Sequence, residues 1–222
     1  MARFEVQYLE GMRFVDIHLE HEMVRCESGA LNYLRGNIAV HSQLIPSVGS
    51  LVSSLVANES VYRPTYAGTG VITLASSLGG FHVFELKGES WILEKGSYWA
   101  SEGSVELQFF RERLLTSLWA GEGVVYLQTR VSGQGKLVVC TKGPVEEMEL
   151  VEGEQLVVEG NCVIGRTQSV KFQMRRPTKN FWGRFTSGES IVRTYRGPGK
   201  VLLNPTMYWR YYMDQQRKKS PR

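Results

Sequence analysis

The chain has 222 residues, 42% of them hydrophobic and 22% charged. That balance allows a sizeable core and excludes an extensively disordered chain. Of the net charge of +4, all resides from Pro205 onward: Arg210, Arg217, Lys218, Lys219 and Arg222 stand there against Asp214, leaving 21 basic and 21 acidic side chains in residues 1–204. A neutral body excludes the broad basic face of a nucleic-acid-binding domain.

The N-terminal MARFEVQYLEG lacks the basic-then-apolar pattern of a leader. Phe4, Val6 and Tyr8 alternate with Glu5 and Gln7, and Val15, Ile17 and Leu19 alternate with Asp16, His18 and Glu20. Period two predicts strands with one face on a core and one in water. Val48, Leu51, Val52, Leu55 and Val56 follow helical spacing, weakened by Gly49. Val105, Leu107 and Phe109 return to strand alternation, and Leu114, Leu115, Leu118 and Trp119 suggest a short helical turn. The apolar run Leu137–Cys140 fits a strand buried on both faces, and Val170, Phe172 and Met174 alternate again. Pro205 is a start signal for a helix over 206–219. No run of apolar residues is long enough to cross a membrane. Cys26, Cys140 and Cys162 are odd in number and lack CxxC spacing, which predicts free thiols and a cytoplasmic setting.

Internal repetition is the strongest pattern. One signature occurs as Leu19/Glu22/Gly29, Leu93/Gly96/Gly103 and Leu150/Gly153/Gly160. Another places a glutamate ahead of a G-x-G: Glu59 before Gly68-Thr69-Gly70, Glu122 before Gly133-Gln134-Gly135, Glu189 before Gly197-Pro198-Gly199. The glycines are expected in turns ahead of strands. The predicted architecture is all-β: one domain over 1–205, a three-sheet β-prism or sandwich of three pseudo-threefold repeats (roughly 15–75, 90–140 and 147–204), with short helical inserts. An aromatic, then basic, tail over 206–222 follows, with a helix as one option.

The segments SGALNYLRGNI (28–38), LEKGSYWASEGSV (93–105), GQGKLVVCTKGPV (133–145), LVEGEQLVVEG (150–160) and GPGKVLLNP (197–205) resemble a widespread bacterial and archaeal family. That family includes a fungal protein named for altered inheritance of mitochondria. The resemblance covers roughly residues 15 to 205. It implies a β-prism similar to the tryptophan RNA-binding attenuation protein and a scaffold or partner-binding role. It carries over no catalytic residue.

Reactive constellations are scarce. His18 and His21 stand three apart in a predicted strand, on opposite faces, which opposes a shared metal. No nucleophile elbow, phosphate loop or zinc-protease motif occurs. The G-x-G elements lack the strand-to-helix setting of a dinucleotide site. No catalytic, cofactor or metal residue is therefore assigned, and a non-enzymatic protein is expected. Glu59, Glu122 and Glu189 have two readings: each accepts backbone N–H groups in its own turn, or the three converge near the axis.

The acidic run Glu146, Glu147, Glu149, Glu152, Glu154 and Glu159 precedes a basic run, Arg166, Lys171, Arg175, Arg176, Lys179 and Arg184. Cross-strand pairing of the two runs is expected; an anionic lipid or RNA contact is the alternative. Leu51 and Leu55, Leu118 and Trp119, and Phe181, Trp182 and Phe185 occupy equivalent inserts. They are expected to cluster at one end of the prism, as a patch for a protein partner or self-association, or as a plug of the barrel end. Arg217, Lys218 and Lys219 beside Tyr208, Trp209, Tyr211 and Tyr212 suit a membrane surface or RNA, unless the aromatics dock on the domain. No small-molecule substrate is identified.

Overall fold

The computed structural model describes residues 1–41, 63–114, 124–159, 162–175 and 192–206. Among them are fifteen strands and no helix: β1 (Arg3–Leu9), β2 (Met12–Cys26), β3 (Leu31–His41), β4 (Thr65–Leu74), β5 (Phe81–Lys87), β6 (Trp91–Leu93), β7 (Tyr98–Glu102), β8 (Val105–Leu114), β9 (Val124–Cys140), β10 (Glu146–Leu150), β11 (Gln155–Glu159), β12 (Val163–Thr167), β13 (Lys171–Arg175), β14 (Val192–Arg196) and β15 (Gly199–Leu203). The expected helices over 48–56 and 206–219 lie almost wholly outside the described residues. Leu114, assigned to a helical turn by its spacing, ends strand β8. Among the described residues no helix is long and apolar enough to cross a membrane.

All pairing is antiparallel. β1 lies on the first half of β2, with Arg3 opposite His18 and Leu9 opposite Met12. β4 pairs with β2 and, on its other edge, with β3. β9 pairs through Val124–Gly133 with β8 and through Gln134–Cys140 with β5. It also meets β6 at Thr129–Val131 and β7 at Leu137–Val139. From β6 the sheet runs on through β12 and β15 to β10. Followed along its hydrogen bonds, this is one twelve-stranded sheet, beside a three-stranded sheet in the order β11-β14-β13.

Two of the three G-x-G elements are not turns before strands, while the third is one. Gly68-Thr69-Gly70 lies inside β4, and Gly133-Gln134-Gly135 lies inside β9, where pairing passes from β8 to β5. The third element joins β14, in the three-stranded sheet, to β15, in the twelve-stranded one. In β4 the element faces an irregularity of β2 between Glu20 and Glu22. Where β9 changes partners, and where the chain passes from β14 to β15, the backbone takes a conformation other residues resist: Gly135 and Gly199 both have φ of +137°.

Glu22, Glu89 and Glu154, spaced by 67 and 65 residues, sit in similar turns. Their carboxylates accept the backbone N–H of Glu20, Lys87 and Val151 at 2.6, 2.9 and 2.8 Å. Each follows a residue with positive φ: His21 at 65°, Gly88 at 105° and Gly153 at 79°. Gly29 and Gly96 occupy similar turns, each closed by the N–H of the next residue, Ala30 onto Glu27 at 3.1 Å and Ser97 onto Glu94 at 3.0 Å.

Alternation places the core as expected along β2, where Val15, Ile17 and Leu19 are buried with Ile72 and Leu74 of β4. Trp91, Leu93, Tyr98, Val105 and Leu137 form a second cluster, and Leu150, Val170, Tyr195 and Val201 a third. Each large side chain fully buried contributes about 1.5–3 kcal/mol. β1 departs from its pattern: only Phe4 packs on the core, while Val6 and Tyr8 are exposed at the sheet periphery.

The acidic strand β10 pairs with β15, not with the basic strands β12 and β13. Glu147 is bonded to Lys200 at 2.6 Å, and exposed Glu146 and Glu149 flank it at the end of the sheet. Charges on an edge strand discourage pairing with another chain. Arg166 belongs to the interior: it is 3% exposed and donates to the Val170 carbonyl at 2.7 Å.

Candidate functional site

The residues expected to form the patch, Leu51, Leu55, Leu118, Trp119, Phe181, Trp182 and Phe185, lie outside the described residues. So do Glu59, Glu122 and Glu189, and the basic Arg217, Lys218 and Lys219. The strands that carry the inserts are described. Each insert joins an antiparallel pair whose last partners are opposite one another: His41 and Thr65, Leu114 and Val124, Arg175 and Val192.

Polar side chains link these three stems. Arg63, Gln128 and Arg193 are 65 residues apart in each step. The Arg63 side chain, 7% exposed, forms an ion pair with Glu27 at 2.7 Å. It reaches Thr129 Oγ1 at 3.5 Å, and its guanidinium lies 4.2 Å from the centre of the Tyr98 ring. The Gln128 amide donates to Glu94 Oε1 at 2.9 Å, and Arg193 Nη1 lies 3.3 Å from Glu94 Oε2. Glu94 thus bridges the second and third stems, and Arg63 bridges the first and second. A buried pair of this kind fixes geometry more than it adds stability.

This chain of contacts has the chemistry of a clamp. Glu27 and Glu94 are held by guanidinium groups rather than by a proton-transfer partner. Burial pushes the Tyr98 and Tyr195 phenols well above their usual range, and the Cys26 thiol up to about 12. None of these groups is poised as a nucleophile near neutral pH. The three cysteines are free.

The histidines stay apart. His18 Nε2 lies 3.2 Å from Glu5, and His21 Nδ1 lies 3.4 Å from Thr69 Oγ1. Burial holds His82 below the usual histidine range. Among the described residues no three His, Cys, Asp or Glu side chains group to hold a metal. Sequence reasoning missed one feature: a cleft of about 570 Å³ between the β2 corner, the β7–β8 turn and β9, with Glu22, Glu85 and Glu102 in its lining. Glu102 was visible only as a glutamate ahead of Gly103, with nothing in the sequence to show that it is buried.

Comparison with known proteins follows the same outline. An uncharacterized protein of Streptococcus pyogenes serotype M6 is 24% identical over 212 residues, covering 90% of this chain and 84% of its own. The X-ray crystal structure of a Streptococcus pyogenes protein matches with a TM-score of 0.72 at 22% identity, over 98% of this chain and 100% of that one. That likeness is one of fold. The family described as mitochondrial biogenesis AIM24 matches residues 4–206, nearly the whole described body, and the chain belongs to it.

Proposed function

We propose that the protein is a non-enzymatic scaffold or interaction protein, a pseudo-threefold β-prism whose three apolar inserts form one protein-binding face. The observation that carries this reading is the linkage of the three insert-bearing stems through Arg63, Thr129, Gln128, Glu94 and Arg193. Stems tied together at their bases launch their inserts from one region. Glu22, Glu89 and Glu154 each follow a residue of positive φ and accept a backbone N–H two or three residues earlier, a likeness that supports the threefold part of the reading. The inserts themselves are rich in large apolar side chains: Leu51, Leu55, Leu118, Trp119, Phe181, Trp182 and Phe185. Large aromatic anchors in a clustered patch are what a protein interface needs.

A photo-crosslinking residue placed at 119 or at 182 tests this in living cells. Defined protein adducts, to a second copy or to another chain, are expected from both positions and not from a probe at Glu146. Absence of adducts at both insert positions refutes the reading. Tight, salt-sensitive RNA binding that vanishes on removal of 206–222 would favour a nucleic-acid role instead.

A further inference from the structure

Strand β1 carries apolar side chains beyond the core to an open edge. Among the described residues it pairs with β2 alone, so its other edge presents backbone N–H and C=O groups to solvent. Phe4, Val6 and Tyr8 share one face of the strand. Phe4 packs on the core, whereas Val6 is 42% exposed and Tyr8 70% exposed. Edge strands are commonly guarded by charge, proline or a bulge. β1 has no proline and pairs with β2 without a register shift. Its two charges, Arg3 and Glu5, neutralise each other at 3.1 Å.

The side-chain pattern selects what fits this edge: the same strand of a second copy. In an antiparallel pair about a two-fold axis, centring on a residue sets even positions against even and odd against odd. The outward backbone groups of one strand then meet those of its copy, and the apolar faces stay on one side of the joined sheet. Centred on Val6, all seven residues of β1 pair. Phe4 faces Tyr8 of the second copy, Val6 faces Val6, and Arg3 faces Leu9. Glu5 faces Gln7, whose amide already donates to Glu5 within the chain at 3.3 Å. Apolar meets apolar, and no like charges stand opposite. Centring on Glu5 would oppose two carboxylates, and centring on Phe4 or Gln7 would leave Tyr8 or Phe4 outside the pair.

Strand β10, at an end of the sheet, behaves in the opposite way. Self-pairing centred on its middle residue, Met148, would set Glu147 against Glu149 of the copy. Like charges directly opposite are destabilising, so charge forbids at β10 what it permits at β1.

We propose that two copies of the chain join edge to edge through antiparallel β1 strands, with Val6 on the two-fold axis. A strand of seven residues is roughly 24 Å long. The contact is therefore at the small end of specific interfaces, and the dimer is weak and concentration-dependent. It is separate from the inserts: β1 lies on Met12–His18 of β2, whereas the first insert stem meets that strand at Arg25. Sedimentation velocity of the full chain across micromolar concentrations should show a reversible monomer–dimer equilibrium. Val6→Lys sets two ammonium groups against each other on the axis and should weaken dimerisation at least about tenfold, with little change in melting point because Val6 is already half exposed. Val6→Cys should form a disulfide-linked dimer under mild oxidation. Leu9→Cys should not, since the two copies of residue 9 then lie six positions apart along the ladder, roughly 20 Å. A chain that stays monomeric throughout, a dimer that folded Val6→Lys leaves intact, absence of the Val6→Cys link, or equal linkage through Leu9→Cys overturns the proposal. The cysteine pair decides the matter alone if Val6→Lys fails to fold.

Discussion

Replacing Gly36 by alanine should destabilise the protein far more than replacing Gly29, although both glycines have positive φ. At Gly29, φ is +76° and nothing lies within 4 Å of the added Cβ. The cost there is that of a left-handed alanine, about 1 kcal/mol. At Gly36, φ is +116°, and the Cβ would stand 2.5 Å from the Thr69 carbonyl oxygen and 2.7 Å from the Gly70 Cα. Backbone strain in that region costs roughly 1–3 kcal/mol. Ordinary contact also requires β3 to retreat from β4 around the Gly36–Gly70 pair. Losing about two ladder hydrogen bonds adds roughly 1 kcal/mol each. The sum is about 3–5 kcal/mol. For a chain of this size 1 kcal/mol shifts Tm by roughly 2–4 °C. Circular-dichroism melting should therefore place Gly29→Ala roughly 2–4 °C below the parent and Gly36→Ala at least about 6 °C below. Equal shifts would show that close approach of β3 to β4 is not what this glycine serves.

Asn204 is buried, accepts from the Lys142 N–H at 3.1 Å, and donates to the Gly143 and Pro144 carbonyls at 3.1 and 2.8 Å. Asn204→Ala leaves those groups unpaired and should cost about 2–3 kcal/mol in urea unfolding. Burial alone would raise the Glu89 carboxyl, but hydrogen bonds from the N–H groups of Glu89 and Lys87 and from the Trp91 indole outweigh it and hold it below the ordinary 4.5. A lowered carboxyl contributes stability that is fully present above 4.5 and lost as pH falls through its folded value. The Tm gap between the parent and Glu89→Gln should thus be widest at neutral pH and close below 4.5; a constant gap down to pH 3 refutes this. Joint replacement of Glu146 and Glu149 by valine removes two charges from edge strand β10 and should raise turbidity on concentration, measured by light scattering. Unchanged solubility would show that these charges do not guard the edge.

Much of the strand content was legible because alternation is a local signal. Val15, Ile17 and Leu19 face the core because their neighbours Asp16, His18 and Glu20 prefer water. The glycines of β9 were legible as positions, but not as the place where a strand exchanges one partner for another. That depends on which strands pair on either side, and nothing near Gly133 in the sequence names β8 or β5. The likeness of the turns at Glu22, Glu89 and Glu154 was hidden because the first has His21 where the others have glycine. Arg166 was read as a member of a basic run, and the burial of Glu102 went unseen, because burial of a charge is decided by tertiary packing. The linkage of Arg63, Gln128 and Arg193 was within reach, since a constant step of 65 joins them, but arginine and glutamine do not look alike in a search for identical residues.

The seventeen-residue β9 has a consequence for synthesis. It is the partner of β5, β6, β7 and β8, all of which leave the ribosome before it. Until Cys140 has emerged, those four strands have no common template, and their apolar faces stand open in a nascent chain growing at about 5–20 residues per second. Residues 81–114 therefore form the stretch most in need of chaperone cover during translation, and the arrival of one strand ends that exposure for all four at once.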